Sequence, residues 1–239
     1  MFSFFKRKVS SDFPFQELKV DLHSHILPGI DDGSPDVDTS LALIKGMAEL
    51  GIEQFTGTPH VMEDIWRNNT ESILDAHERL IRALKVAGID YPIRPAAEYL
   101  VDANFESLLR AKTPLLTIKD NLVLIEVSFI EPPIQLKEVI FEMLMQGYQP
   151  VLAHPERYAF YHHNHQAVED IKNTGCLFQS NLLSFSGYYG KEVLKFVERL
   201  SKEGKIDLLG TDLHHQRHLE ALRELKLTRA LSTVMVKLG

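Results

Sequence analysis

The chain alternates two rhythms of apolar residues. Short apolar runs of strand character occur at Leu18–His23, Ile52–Thr58, Tyr91–Glu98, Leu122–Val127, Gln149–Ala153, Cys176–Asn181 and Ile206–Thr211. Between them lie stretches whose apolar residues recur at helical spacing: Ser40–Leu50, Thr70–Ala87, Ile134–Met145, Gln166–Thr174, Lys191–Lys202 and a last helix from about Leu219. In Thr70–Ala87 the stripe is Ile73, Leu74, Leu80, Ile81 and Leu84. A glycine (Gly51, Gly88, Gly147, Gly175 or Gly204) stands just before several of the strand runs, where a helix normally stops. Strand-helix alternation of this kind predicts an α/β fold built on a parallel sheet. Seven such units in one domain-sized chain predict a closed or nearly closed (β/α) barrel. The alternative, an open doubly wound sheet, would carry a Gly-rich phosphate loop after the first strand, and VDLHSHILPGIDDG is not one.

The polar residues sharpen this picture. Strand one ends in His23 and His25, strand two in Thr58-Pro59-His60, strand three in Glu98 and strand four in Glu126. Strand five ends in His154, and strand seven in Asp212, followed by His214. Six of seven strands therefore deliver a His, Asp or Glu at their carboxyl ends, where the loops of a (β/α) barrel converge on its active site. Residues two apart in an extended strand point the same way, so His23 with His25, and Asp212 with His214, can face one centre. Singly, each has a plainer reading as a buried, hydrogen-bonded histidine or a surface carboxylate. Together, eight donors at one barrel end exceed the three or so that a single catalytic zinc uses, and they fit two or three divalent ions. Imidazole with carboxylate suits Mn, Fe or Zn. His77, His162, His163 and His165 read as solvated or peripheral, and nothing in their spacing marks His215 or His218 as ligands. Gln179 and Asn181, on the sixth strand, can bond substrate, a water behind the ligands, or nearby backbone.

Composition narrows the function further. A net charge of -7 argues against a general nucleic-acid binder. The single cysteine, Cys176, excludes an internal disulfide framework and fits a reducing compartment. Leu182 stands where the arginine of a cysteine-dependent phosphatase loop would be, so Cys176 reads as a small buried hydrophobe. No run approaches the length of a membrane span. MFSFFKRK, with its aromatics before three cations, reads as part of an N-terminal extension over residues 1–17. It is either a frayed end or a contact for an anionic membrane surface or a partner. The remainder, residues 18–239, reads as a single catalytic barrel domain.

In order, VDLHSHILPGIDDG, GTPH, AAEY, LIEVSF, LAHPERY and GTDLHH resemble the polymerase-and-histidinol-phosphatase (PHP) family, from about Val20 to about Leu225. Within it, the resemblance is to the bacterial metal-dependent protein-tyrosine phosphatases of the capsule and exopolysaccharide type. The resemblance implies a distorted (β/α)7 TIM-like barrel and a three-metal site held by His23, His25, His60, Glu98, Glu126, His154, Asp212 and His214, with Mn favoured over Fe or Zn. It adds Asp32 as a further ligand or as support behind the ligands, Arg157 beside the phosphate, and Arg217 as a second arginine. It also implies a phosphotyrosine protein substrate, the C-terminal tail of a bacterial tyrosine kinase, and a cytoplasmic location with possible attachment to the inner face of the membrane. The expected reaction is attack of a metal-activated hydroxide on phosphorus, with His60 or a bound water as proton donor to the leaving group. Rival readings are a histidinol-phosphate phosphatase, a non-catalytic metal-binding regulatory module, and a nuclease-type proofreading domain, which the acidic charge disfavours.

Overall fold

The structure is a computed structural model that describes residues 12–238. MFSFFKRK lies outside the described residues. The predicted α/β fold is present, with every strand pairing parallel. The strands are β1 (Val20–Ser24), β2 (Gln54–Gly57), β3 (His60–Val61), β4 (Ile93–Pro95), β5 (Glu98–Leu100), β6 (Leu122–Glu126), β7 (Gln149–Ala153), β8 (Leu177–Asn181) and β9 (Leu208–Gly210). They form two sheets, β1-β2-β4 and β3-β5-β6-β7-β8-β9.

The second expected strand, Ile52–Thr58, is followed by a short extra strand, β3, and the third, Tyr91–Glu98, is interrupted before Glu98. Pro59 has no N–H to give, and it separates β2 from β3. The next strand breaks in step, at Ala96 and Ala97, between β4 and β5. Backbone bonds run across both breaks, from Ala96 N to Gly57 O (2.8 Å) and from Glu98 N to Pro59 O (3.0 Å). At the other edge Asp212 N donates to His23 O and His25 N to Leu213 O, both at 2.8 Å. Backbone hydrogen bonds thus bridge the places where the ladders stop and join the seven strand positions edge to edge, although two sheets, not one continuous ladder, carry them.

Alternation along the strands sets what faces inward. Ala96, Leu124, Val151 and Ala153 form a small apolar cluster with Ile118, while Ala97, Val123, Ile125 and Leu152 join the larger core under the helices. Glu98 is two residues beyond Ala96, and Glu126 two beyond Leu124, so a period of two brings both carboxylates to the inner face at the carboxyl ends. The helices are α1 (Phe15–Leu18), α2 (Val37–Leu50), α3 (Thr70–Val86), α4 (Ala103–Arg110), α5 (Leu136–Met145), α6 (His165–Asn173), α7 (Lys191–Lys202), α8 (Gln216–Arg223) and α9 (Arg229–Leu238). The five glycines expected as stops all have positive φ. Two differences from expectation stand out. α4 is too short for a periodicity argument and is set by the Asp102 side chain, which accepts the Phe105 N–H, with Phe105 and Leu109 buried. The last helix is two helices, α8 and α9. Phe13 and Phe15, in the stretch expected as an extension, are buried in the main core.

Closure between the first and last strands rests on Asp21. It is 2% exposed and accepts from Thr211 N, Thr211 Oγ and His23 N. Burial pushes its carboxyl up to about 6 against these three donors. Asp21→Ala would strand buried N–H groups, each costing about 1–3 kcal/mol. Urea unfolding of the metal-free variant is expected to show a loss of about 3 kcal/mol. A loss under about 1 kcal/mol would mean that the backbone bonds alone hold the ring closed.

Candidate metal centre

The eight donors expected from sequence converge on the carboxyl end of the barrel. His23, His25, Glu98, Glu126, His154 and Asp212 are buried, and His60 and His214 are nearly so. Four donor atoms stand at almost equal separations. His23 Nε2 is 3.3 Å from His25 Nε2 and from Glu98 Oε2, and 3.4 Å from Asp212 Oδ1. His25 Nε2 is 3.4 Å from Glu98 Oε2 and 3.5 Å from Asp212 Oδ1. Charge-assisted hydrogen bonds are shorter, at about 2.7–2.9 Å. Donors about 2.1 Å from a tetrahedral cation, however, stand about 3.4 Å apart. The spacing is that of a coordination shell.

The donors fall into three overlapping groups: His25, Asp32, His60 and His214; His23, Glu98, His154 and Asp212; and His60, Glu98 and Glu126. Glu98 is central. Its Oε2 faces His23, His25 and His60, while Oε1 lies 3.0 Å from His154 Nε2. His60 stands between two groups, with Nδ1 2.6 Å from Glu126 and Nε2 3.4 Å from Asp32. A neutral imidazole has one lone pair, so His60 serves one group while its other nitrogen donates a hydrogen bond. Asp32 is the outermost donor, with its side chain 55% exposed. The hydrogen bond with His214 draws its carboxyl down to about 2.

Neighbouring residues fix the ring orientations. His23 Nδ1 donates to Gln179 Oε1 at 2.8 Å, His25 Nδ1 to Asp31 Oδ2 at 2.7 Å, and His214 Nδ1 to the Asp212 carbonyl at 2.9 Å. Such bonds leave Nε2 free to ligate. Asp31 also accepts the Gly33 N–H, folding the loop over His25. Gly33 is needed there, because a Cβ would come within 2.1 Å of the His25 carbonyl oxygen. The adjacent aspartates thus divide the work: Asp31 orients His25, and Asp32 faces the cavity. Gln179 Nε2 donates to Asn181 Oδ1, and Asn181 Nδ2 to Asp212 Oδ2. The partners are thus donor side chains, not the substrate, water or backbone expected from sequence. Glu156, which sequence reasoning passed over, is fully buried and accepts from Asn181 N and Ser184 Oγ. His154 (φ 35) and Asp212 (φ 54) both have left-handed backbone at strand ends. That conformation costs about 1–3 kcal/mol per residue and persists only where the surroundings enforce it.

A cavity of about 300 Å³ opens over the donors, lined by Asp32, His60, Glu126, His154, Asp212 and His214 together with Phe129, Arg157, Tyr189, His215 and His218. Arg157 Nη1 bonds Asp212 Oδ2 at 2.8 Å, and its guanidinium lies over the rings of Tyr189 (4.5 Å) and Phe129 (5.1 Å). Arg217 is not brought into the cavity; it lies exposed in the first turn of α8. His215 caps α8, and His218 packs against it, with ring centroids 4.0 Å apart. His162, expected to be solvated, is partly buried and donates to the Glu156 carbonyl at 2.8 Å. His77 similarly bonds the Ile93 carbonyl. Cys176 is buried at the start of β8, and burial pushes its thiol up to about 12.

Without cations the cluster stores protons. Burial opposes a charge on His23, but Glu98 and Asp212 outweigh it and hold the ring at about 9. Burial likewise opposes His25, which Asp31 above all raises well above its ordinary value. Burial also works against ionised Glu98 and Asp212, yet His23 and the other nearby positive groups keep both well below the carboxylate range. Burial and then Glu98 push Glu126 up. A protonated imidazole has no lone pair, so cations must displace protons. Affinity for Mn is expected to fall as pH drops from about 9 towards neutrality. Calorimetric titration in buffers of different ionisation enthalpy should show more than one proton released on full loading. Release of none would mean that the donors are already neutral.

A family described as capsular polysaccharide synthesis, CpsB/CapC, matches residues 19–239. The chain is 29% identical over 197 residues to the tyrosine-protein phosphatase YwqE of Bacillus subtilis, covering 82% of this chain and 77% of that protein. It is 28% identical over 205 residues to the tyrosine-protein phosphatase CpsB of Streptococcus pneumoniae, covering 82% and 83%. A solved structure from work on YwqE and CpsB, described as metal-dependent tyrosine phosphatases, superposes with a TM-score of 0.78 at 26% identity, covering 91% of this chain and 86% of that one.

Proposed function

The chain belongs to the capsular polysaccharide synthesis CpsB/CapC family, and from that premise we propose that it is a metal-dependent protein-tyrosine phosphatase, a phosphoric monoester hydrolase acting on phosphotyrosine in proteins. The observation that carries the reading is the donor set, converging on one centre, with His60, Glu126, His154, Asp212 and His214 lining a cavity and Arg157 at its wall. The names of the similar proteins favour phosphotyrosine over histidinol phosphate and over a non-catalytic module.

The donor spacing fits divalent cations. Two or three, with Mn preferred and Fe or Zn acceptable to the same chemistry, would be held by His23, His25, His60, Glu98, Glu126, His154, Asp212 and His214, with Asp32 on the outer side. When bound they would supply positive charge to the phosphoryl oxygens and acidify a water.

The chain's own groups do the rest. Arg157 presents a planar fork that can donate two hydrogen bonds to a phosphoryl group, and Asp212 and the flanking rings hold it in place. Arg217 would meet only substrate that extends beyond the cavity. A tyrosine leaving group, with a pKa of about 10, needs little acid assistance. His60 can deliver the proton that it does need only where its Nε2 carries a proton in place of a cation, with Glu126 holding the ring at Nδ1.

We place the substrate on the tail of a bacterial tyrosine kinase, and the enzyme in the cytoplasm where that tail lies. Peripheral contact with the membrane through MFSFFKRK belongs to the same proposal. Among the described residues no helix is long and apolar enough to cross a membrane.

Phosphate release from a phosphotyrosine peptide and from histidinol phosphate, measured side by side with and without a chelator, tests the reading. Chelator-sensitive release from the peptide is expected. Preference for histidinol phosphate would move the protein to the rival substrate, and silence on both would refute the phosphatase assignment. Arg157→Lys keeps the charge but loses the fork, so kcat is expected to fall about 100-fold with metal content unchanged. Undiminished turnover would remove Arg157 from the mechanism.

A further inference from the structure

Phe129 is the one wholly apolar side chain in the lining of the cavity; the others are acids, histidines, Arg157 and Tyr189. It is 49% exposed, although a large core extends beneath it. Its position is set rather than loose. The loop leaves β6 just after Glu126, and the buried Tyr158 hydroxyl accepts the Val127 N–H at 3.2 Å. One residue on, Ser128 Oγ accepts the Ile130 N–H at 3.2 Å, turning the chain around Phe129. The Phe129 ring lies near-parallel to His154, with centroids 5.9 Å apart and planes at 18°, and rests on Tyr158 at 5.2 Å. It is thus a supported ring, half open to solvent, beside the arginine and the histidine that border the phosphate position.

We propose that Phe129 receives the phenol ring of the substrate and thereby makes the site select aryl over alkyl phosphates. This rests on the phosphotyrosine reading and names the residue that gives it specificity. The phosphoryl group is the same in tyrosine, serine and sugar phosphates, so cations and Arg157 cannot distinguish them. The ring is what differs, and an aromatic pair adds to the stabilisation from buried area alone. Tyr188, 42% exposed, lies edge-on to His218 of the lining at 5.2 Å. The cavity is therefore bordered by aromatic surface at more than one point.

The test uses phenylphosphonate and methylphosphonate, which are not hydrolysed, bound to the Mn-loaded protein and followed by calorimetry. Phe129→Ala is expected to weaken phenylphosphonate about ten-fold and to leave methylphosphonate within about two-fold, with Phe129→Tyr restoring the preference. In turnover, the same variant should raise KM for a phosphotyrosine peptide more than it lowers kcat. Phe129→Leu, which keeps bulk without a ring, serves if the alanine variant folds poorly. Equal losses for both phosphonates would show that Phe129 only props Arg157 and His154, and would overturn the inference. Wild-type protein that hydrolyses the peptide but binds both phosphonates alike overturns it too, while leaving the phosphatase reading intact. Wild-type protein that releases no phosphate from the peptide removes both.

Discussion

Burying carboxylates is the constraint around which this molecule is arranged. Glu98, Glu126 and Asp212 are each no more than 1% exposed, in a place where an isolated charge would be forced to neutralise. His60 and His154 bond Glu126 and Glu98 at 2.6 and 3.0 Å, but the other ring–carboxylate pairs of the centre, 3.3–3.5 Å apart, satisfy one another poorly as hydrogen bonds. Divalent ions would resolve this, because each would face several donors at once. Much of the local architecture then reads as support. Asp31, Gln179 and a backbone carbonyl fix three ring tautomers, Asn181 and Arg157 occupy the far oxygen of Asp212, and two strand ends adopt left-handed backbone so that His154 and Asp212 turn inward.

The arrangement also explains how an acidic chain can handle an anionic substrate. With a net charge of -7, the protein as a whole does not attract phosphate. The positive potential is local and borrowed, supplied by bound ions and by one arginine held against two rings. Phosphate affinity is therefore tied to metal loading, and specificity is left to the walls of the cavity, where Phe129 and the tyrosines stand.

Much of this was legible in the chain because it depends on local pattern. β7 and α7 were placed to the residue, since an apolar run or an amphipathic stripe bounded by glycine leaves little choice. The convergence of the eight donors was legible because strand ends gather at one end of the fold, so that position along the chain becomes position in space. What escaped depends on contacts between distant segments. Asp31 and Asp32 are indistinguishable as neighbours in sequence and differ only in what each meets. Gln179 looked equivocal until its partner, His23, could be seen. Arg217 follows a motif yet lies on the outer face of its helix, and Phe129 looked like one more apolar residue after a strand. α4 was missed because eight residues carry too little periodicity, β3 because its two residues carry none, and the break at Ala96 and Ala97 because no proline stands between them.

The ring is completed by contacts between residues 190 positions apart, Asp21 and Thr211. His23 and His25 leave the ribosome early, whereas Asp212 and His214 leave near the end. A growing chain thus displays two histidines long before it can offer a finished coordination shell. Tight capture of metal waits for synthesis of the last strand, so the ion arrives as the final stitch in a nearly complete barrel. A chain cut short before β9 would keep most of its donors and still lack the geometry to retain what they catch.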